Sequence, residues 1–354
     1  MRRELLLCSL LLTVGGMFAQ NLVKSESKSL KSFLEQPAAL GGTNAEALGM
    51  VGNDPAKCPG VKVEGGHVVS IEWNGKNLSG VLNLTGFNGL EKVEVTGNKL
   101  SSLTLSGNTS LTEVNAGKNR ISTFSVTNCP KLETVRIYRN ALTGIELEGM
   151  PFLKKLNVSG NRMVALDVSN ALNLEYLNCM SNNLEELVIA GCQNLKTVYA
   201  GYNDLTNVEL AGLEKLQNLN LTSNKLSKLY LQGLPSLFTL YASDNHMTEF
   251  AANNCNQLND IYLPYNDLTT FALENCPSVA VISLQWNDLT TLNLSSMNFL
   301  QQVNVANNQL LTINLSFDPT LRTINLAGNT NLTNVSLEGS PSIQQIVGEW
   351  SNLD

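Results

Sequence analysis

Residues 93 to 105 read VEVTGNKLSSLTL. Val93 and Val95 alternate as the buried side of a short strand does, Asn98 follows, and Leu100, Leu103 and Leu105 resume the apolar pattern beyond it. From Asn98 every twenty-first residue is again asparagine: Asn119, Asn140, Asn161, Asn182, Asn203, Asn224, Asn245, Asn266, Asn287, Asn308 and Asn329, with Asn77 one step back. Thirteen equally spaced residues of one type make the chain from about residue 70 onward one repetitive domain.

The flanks keep the same period. Five and three residues before each asparagine stand apolar pairs such as Leu156/Val158, Ile261/Leu263 and Ile324/Leu326. Two, five and seven after it stand sets such as Leu142/Ile145/Leu147 and Leu289/Leu292/Leu294. The unit therefore reads LxxLxLxxNxLxxLxL plus a short polar segment. A 21-residue turn cannot bury its own leucines, but stacked turns bury them in one continuous core. Parallel strands about 4.7–4.9 Å apart then give a solenoid about 60 Å long. Each asparagine amide carries both donor and acceptor, so it can bond backbone groups freed where the strand bends, and the series is expected to be a structural ladder.

This pattern resembles the leucine-rich repeat. In its 21-residue form, with LxxLxL on both sides of the asparagine, it resembles the bacterial subclass called IRREKO, and it is similar to secreted internalin-like surface proteins, internalin J-like ones included. The resemblance implies an α/β-type, β-dominated right-handed superhelix with a parallel sheet on its concave face and few helices outside an N-terminal cap. It covers most of the chain and is specific for fold; function has to be argued from the site. Residues 53–80, NDPAKCPGVKVEGGHVVSIEWNGKNLSG, resemble the cap best known from plant leucine-rich-repeat proteins. A second cysteine that commonly follows PGV there is Val63 here, so the resemblance implies the cap without its usual disulfide.

At the N-terminus, MRRELLLCSLLLTVGGMFAQ has two arginines, an apolar run and small residues ending at Ala19, which predicts a secretory signal peptide over residues 1–19. Residues 20–70 are expected to form the cap region, with SLKSFLEQPAAL a short helix ended before Pro37 and at most one further helical turn. Residues 71–354 are expected to form a solenoid of about thirteen turns. IVGEWSNLD, residues 346–354, fits the strand of a fourteenth turn with one residue inserted, and an uncovered terminal strand invites self-association. No later segment has the apolar length of a membrane span.

Cleavage after Ala19 leaves 21 Lys and Arg against 29 Asp and Glu, a net charge of −8, which opposes general affinity for nucleic acid. Residues 88–165 hold ten basic against six acidic residues, and residues 166–354 five against seventeen, so the front half is expected to be basic and the rear acidic. The two histidines, His67 and His246, lie in no catalytic motif, and no phosphate-binding loop or CxxC pair occurs. The chain is expected to be no enzyme and to hold no metal or cofactor. Cys129, Cys192, Cys255 and Cys276 stand ten residues after a ladder asparagine, a semi-buried slot that free cysteine fills well; Cys255 and Cys276 lie in adjacent turns, where a bridge is geometrically possible.

The large aromatics mark the candidate site. Positions six, four and two before the asparagine should face outward from the strands, and the position just before it lies at the strand exit. Tyr138, Tyr176, Tyr199, Tyr202, Tyr241, Tyr262, Tyr265 and Trp286 all take these positions, and of the tyrosines only Tyr230 does not. Trp73 and Trp350 extend the trend into the terminal turns. In DIYLPYNDL, residues 260–268, Pro264 stands at the strand exit, where a missing donor costs least although one ladder bond is at stake. Lys92, Lys118, Arg136, Arg139 and Lys155 form a basic patch on the same face, offset by Glu94 and Glu113. Outward tyrosine and tryptophan on a rigid scaffold bury much area with little entropy loss. The expectation is a secreted or surface-exposed binder on the outer-membrane face of a Gram-negative bacterium, with a host or bacterial surface protein as partner in adhesion or biofilm formation. The alternatives are a glycan-binding protein using the same face and a structural surface-layer component.

Overall fold

The computed structural model describes residues 22–348; the signal-peptide segment and Trp350 lie outside the described residues. Helix α1 (Lys24–Leu34) and the single turn α2 (Asn44–Ala47) precede the strands. A capping box between Thr43 and Glu46 starts α2. Leu30, Phe33 and Leu34 are buried against the first turn, and the Phe33 ring stacks on Trp73 with centroids 5.5 Å apart. Glu26, buried at the helix start, receives the Val68 N–H at 2.8 Å and meets His67 Nδ1 at 2.8 Å. Asn44 donates to the carbonyls of Phe33 and Ser79. These contacts cover the apolar end that a bare first turn would expose.

A hairpin, Val61–Glu64 with His67–Glu72, opens a 15-stranded sheet that then takes one parallel strand from every turn. Its central row, Leu177–Val198–Leu219–Leu240–Ile261–Ile282–Val303–Ile324, advances 21 residues at each step and is buried throughout. The next pairing, Ile324 with Ile346, takes one residue more, as the inserted residue predicts.

The opposite side carries strands as well. In most turns the apolar residue five after the asparagine lies in one of four short parallel sheets, beginning at Ser79–Asn83, Ala165–Asp167, Lys228–Gln232 and Thr291–Asn293, while the turns of Ile145 and Val208 carry no strand there. The fold is a two-sided β-solenoid, continuous on one face and interrupted on the other.

The ladder holds from Asn98 to Asn329. Asn266 is representative: its Oδ1 accepts the Met247 N–H at 3.2 Å, while Nδ2 donates to the Ala242 carbonyl at 3.1 Å and to its own Leu263 carbonyl at 3.0 Å. The rungs join each turn to the backbone of the preceding one.

Asn77 is not a rung. The first step of the long sheet pairs Ile71 with Val93, one residue more than the repeat, so Asn77 falls out of phase and its side chain is exposed. The same slip places Trp73 level with Val95 in the core, fully buried, with Nε1 donating to the Pro59 carbonyl. Trp73 therefore does not extend the outward aromatic series. All six described cysteines are buried and free, Cys255 and Cys276 included.

Candidate protein-binding face

The strand exit has a conformation that periodicity did not reveal. The residue before each rung is left-handed: Gly97, Lys118, Arg139, Gly160, Ser181, Tyr202, Ser223, Asp244, Tyr265, Trp286, Asn307 and Gly328 all have positive φ. Glycine and asparagine suit that slot, whereas a bulky residue there carries strain of order 1–2 kcal/mol. Tyr202, Tyr265 and Trp286 accept it at φ 58°, 58° and 60°. Their side chains gain little burial in return, being 54%, 57% and 52% exposed.

The long sheet brings six of the eight aromatics into pairs. Tyr241 and Tyr262 are register partners on adjacent strands, and their rings stack 4.8 Å apart at 6°. Tyr265 and Trp286 stack at 6.0 Å and 11° one slot further along the chain. Tyr176 and Tyr199 meet edge-on at 5.9 Å. The first pair spans the turns of Asn245 and Asn266 and the second those of Asn266 and Asn287, so the turn of Asn266 supplies one ring to each half of this aromatic platform. Tyr202 has no ring partner among the described residues. Tyr138 lies apart from the platform: its ring covers the Gly117 backbone so closely that a Cβ there would fall 2.3 Å from it.

Pro264 is explained by its neighbour. In the turns of Asn157, Asn178, Asn220, Asn304 and Asn325, the side chain four before the rung accepts the N–H of the residue two before it. Where that asparagine is replaced by Tyr262, the N–H would lose its acceptor, and Pro264 has none to satisfy. No ladder bond is lost, contrary to the expectation from sequence.

Beside Tyr262 lies a hollow of about 400 Å³, lined mainly by Ser283, Gln302, Asn304, Thr323 and Asn325 together with Val281, and by no charged side chain. Sequence reasoning passed over these residues because amides and hydroxyls on a strand read as ordinary surface; their signal was the run of uncharged residues beside the tyrosines. Burial raises the Asp260 carboxyl above its ordinary range, and burial with the Asp260 and Tyr241 neighbours raises the Tyr262 phenol.

The basic patch is partly self-neutralised. Lys92 pairs with Glu94 at 3.2 Å and Arg136 pairs with Glu113, whereas Lys118, Arg139 and Lys155 are exposed. Among the described residues no cluster of three metal-ligating side chains occurs, and no helix is long and apolar enough to cross a membrane.

These features define a leucine-rich-repeat solenoid, with parallel-strand turns of 21 residues. Comparison of the sequence with protein families and with curated proteins returns no match. Solved structures share the fold. A leucine-rich-repeat protein of Leptospira interrogans aligns at 22% identity and TM-score 0.51, over 63% of this chain and 68% of its own. YopM, a leucine-rich effector protein from Yersinia pestis, aligns at 24% identity and TM-score 0.54, over 80% and 88%. A chain of the LRIM1/APL1C complex aligns at 17% identity and TM-score 0.57, over 76% and 62%. The chain thus has the architecture of repeat scaffolds found in bacterial leucine-rich-repeat proteins and, in the last case, in a protein complex.

Proposed function

We propose that the protein is a binding scaffold that grips a protein partner through the long-sheet face, with Tyr241, Tyr262, Tyr265 and Trp286 as its anchors and Tyr176, Tyr199, Tyr202 and Tyr138 further out. The observation that carries the reading is the pair of stacked aromatics held at 41–57% exposure in the case of Tyr241, Tyr265 and Trp286, two of them in a strained left-handed slot that glycine fills elsewhere. Strain retained at exposed residues points to a role outside stability. A preordered aromatic platform anchors a partner at small entropic cost, and Asp244 and Asp260 beside it favour a partner bearing Arg or Lys, whose cations also sit well on ring faces.

In its finer form the proposal is an adhesin-like protein, secreted or displayed on the outer-membrane face of a Gram-negative bacterium, that binds host or bacterial surface protein in adhesion or biofilm formation. We retain with it the division into a leader at 1–19, a cap region at 20–70 and a solenoid at 71–354. The test is a pull-down from host and bacterial surface extracts comparing wild type with the Tyr241→Ala/Tyr262→Ala/Tyr265→Ala/Trp286→Ala protein. Equal recovery of every captured protein by the two would remove the site assignment.

A second reading, glycan binding on the same face, is favoured by one observation: the uncharged amide- and hydroxyl-lined hollow against Tyr262, since sugars stack on aromatic rings and hydrogen-bond to planar amides. Silence across a glycan array, with capture of protein retained, eliminates it.

A further inference from the structure

Cys255 and Cys276 occupy the same slot in adjacent turns, just beyond the paired strands Glu249–Asn253 and Thr270–Glu274, where Asn253 lies opposite Glu274. Parallel neighbours are about 4.7–4.9 Å apart, inside the Cα range of about 4.4–6.8 Å that a disulfide spans. The backbone between them is tied in register, Asn254 N–H donating to the Glu274 carbonyl at 3.1 Å. The two side chains keep the same local contact, Cys255 Sγ facing the Asn253 carbonyl at 3.6 Å and Cys276 Sγ the Glu274 carbonyl at 3.3 Å. The remaining cysteines make no such pair: Cys129 and Cys192 share the slot but stand three turns apart, Cys58 lies in the cap and Cys179 in a core strand position.

The short-strand ladder stops beside this pair. Thr270–Glu274 is the last strand of its sheet, and Thr291–Asn293 begins another. One turn on, Leu294 N–H donates to the Asn314 carbonyl and Ser296 N–H to Ser316, both at 2.9 Å; Leu273 and Asn275 make no equivalent bond among the described residues. Phe271 stands where the next turn has Leu292, and its ring stacks back onto Phe250 at 5.3 Å. A groove of about 890 Å³ opens at the break, lined by Phe271, Leu273, Cys276, Met297 and Phe299 among others. Cys276 is 7% exposed there, while Cys255 lies fully buried behind it.

The environment sorts the thiols. Burial pushes Cys58 and Cys192 up to about 11 and Cys179 up to about 12, and raises Cys129. The neighbouring Cys255 thiol lowers Cys276 below the ordinary thiol range, and Cys255 is raised in turn. Thiolate character and access therefore coincide at Cys276.

We propose that Cys255 and Cys276 form a dithiol pair which a small organic disulfide, entering by the groove, oxidises to an intramolecular bridge. The Cys276 thiolate attacks one sulfur of the disulfide RSSR. The S–S bond breaks, and the departing RS⁻ takes a proton. Cys255 then gives up its proton, and its sulfur attacks the Cys276 sulfur of the mixed disulfide, expelling the second RS⁻, which is protonated. Two electrons and two protons pass from the pair to RSSR, leaving one protein disulfide and two RSH.

The test incubates the full chain with oxidised glutathione, alkylates the remaining thiols and maps peptides without reduction. The expected map shows the Cys255 and Cys276 peptides joined, lighter by two hydrogens than the pair of free thiols, with the other described cysteines alkylated and reacting more slowly by about tenfold or more. Alkylation of all six, a bridge to any other cysteine, or glutathione persisting on Cys276 of the wild type overturns the proposal. In Cys255→Ala glutathione should accumulate on Cys276, and in Cys276→Ala position 255 should stay unreacted. The wild-type map decides the matter even if either variant folds poorly.

Discussion

Replacing Asn266 by alanine removes one rung and nothing else from the repeat. The Met247 N–H, in a fully buried residue, loses its acceptor at 3.2 Å. The Ala242 and Leu263 carbonyls lose donors at 3.1 and 3.0 Å. At about 1 kcal/mol for each of the two carbonyl bonds and about 1–3 kcal/mol for the buried donor left without a partner, the loss should be about 3–5 kcal/mol. Asn77 supplies the control, because it keeps the same sequence period without being a rung. Asn77→Gly preserves the left-handed φ of 57° and the bond from Ala39 N–H to its carbonyl, so the change should stay below about 1 kcal/mol. Urea unfolding gives the global effect. Hydrogen exchange at the Met247 amide gives the local one, which matters because a stack of turns can open in part. A loss at Asn266 below about 1 kcal/mol, or a loss at Asn77 equal to it, would refute the ladder as the device that fixes the turns.

Further outcomes follow from single sites. Asp318 is buried, with Oδ1 accepting the Met297 N–H at 2.7 Å and Oδ2 without a partner among the described residues; burial raises its carboxyl to about 6. Because the folded value lies above the unfolded one, its favourable contribution is complete at low pH and is lost as pH rises from about 4 to about 6. Asp318→Asn should remove that dependence and raise stability at neutral pH by about 2 kcal/mol, read from urea midpoints across the range. Tyr202 has no ring partner and holds the left-handed slot that Asn307 fills in another turn, so Tyr202→Asn should leave the melting temperature unchanged or higher; a fall would show that the slot is not strained. Glu26→Ala leaves the Val68 N–H and His67 without their carboxylate and should cost about 1–3 kcal/mol, with Val68 amide exchange accelerating ahead of the distal turns.

Most of the long sheet was legible because burial on a stacked strand repeats without exception: Leu156, Leu219 and Ile324 all face one core. The ladder was legible for the same reason, and it failed only at Asn77, where a single extra residue between Ile71 and Val93 shifts the phase. That slip also drew Trp73 inward; unlike the insertion before Ile346, it falls at the first turn, where no preceding turn fixes the period. The left-handed slot was harder to read. Gly97, Gly160, Gly328 and Asn307 in it were a signal, but Tyr265 and Trp286 in the same slot concealed it, since a large aromatic before a turn reads as strand surface. Pro264 depended on a contact between residues 262 and 264 that only the bonds of the asparagine-bearing turns disclose. The pairing of the exposed rings lay beyond the sequence for a plainer reason: outward positions carry no burial requirement, so their spacing does not say which rings meet.

The central claim is that the long-sheet face, and not the opposite side, holds the partner. Tyr230 provides the comparison, being 56% exposed on the strand Lys228–Gln232 of a short sheet. The measurement is an equilibrium titration of the captured partner against wild type, Tyr230→Ala, and the Tyr241→Ala/Tyr262→Ala/Tyr265→Ala/Trp286→Ala protein, with folding of each verified by circular dichroism. The account predicts that Tyr230→Ala binds as wild type does, while the four-residue variant loses affinity by about a hundredfold or more, as removal of central aromatic anchors does. Equal affinity in all three, or a loss confined to Tyr230→Ala, would contradict it.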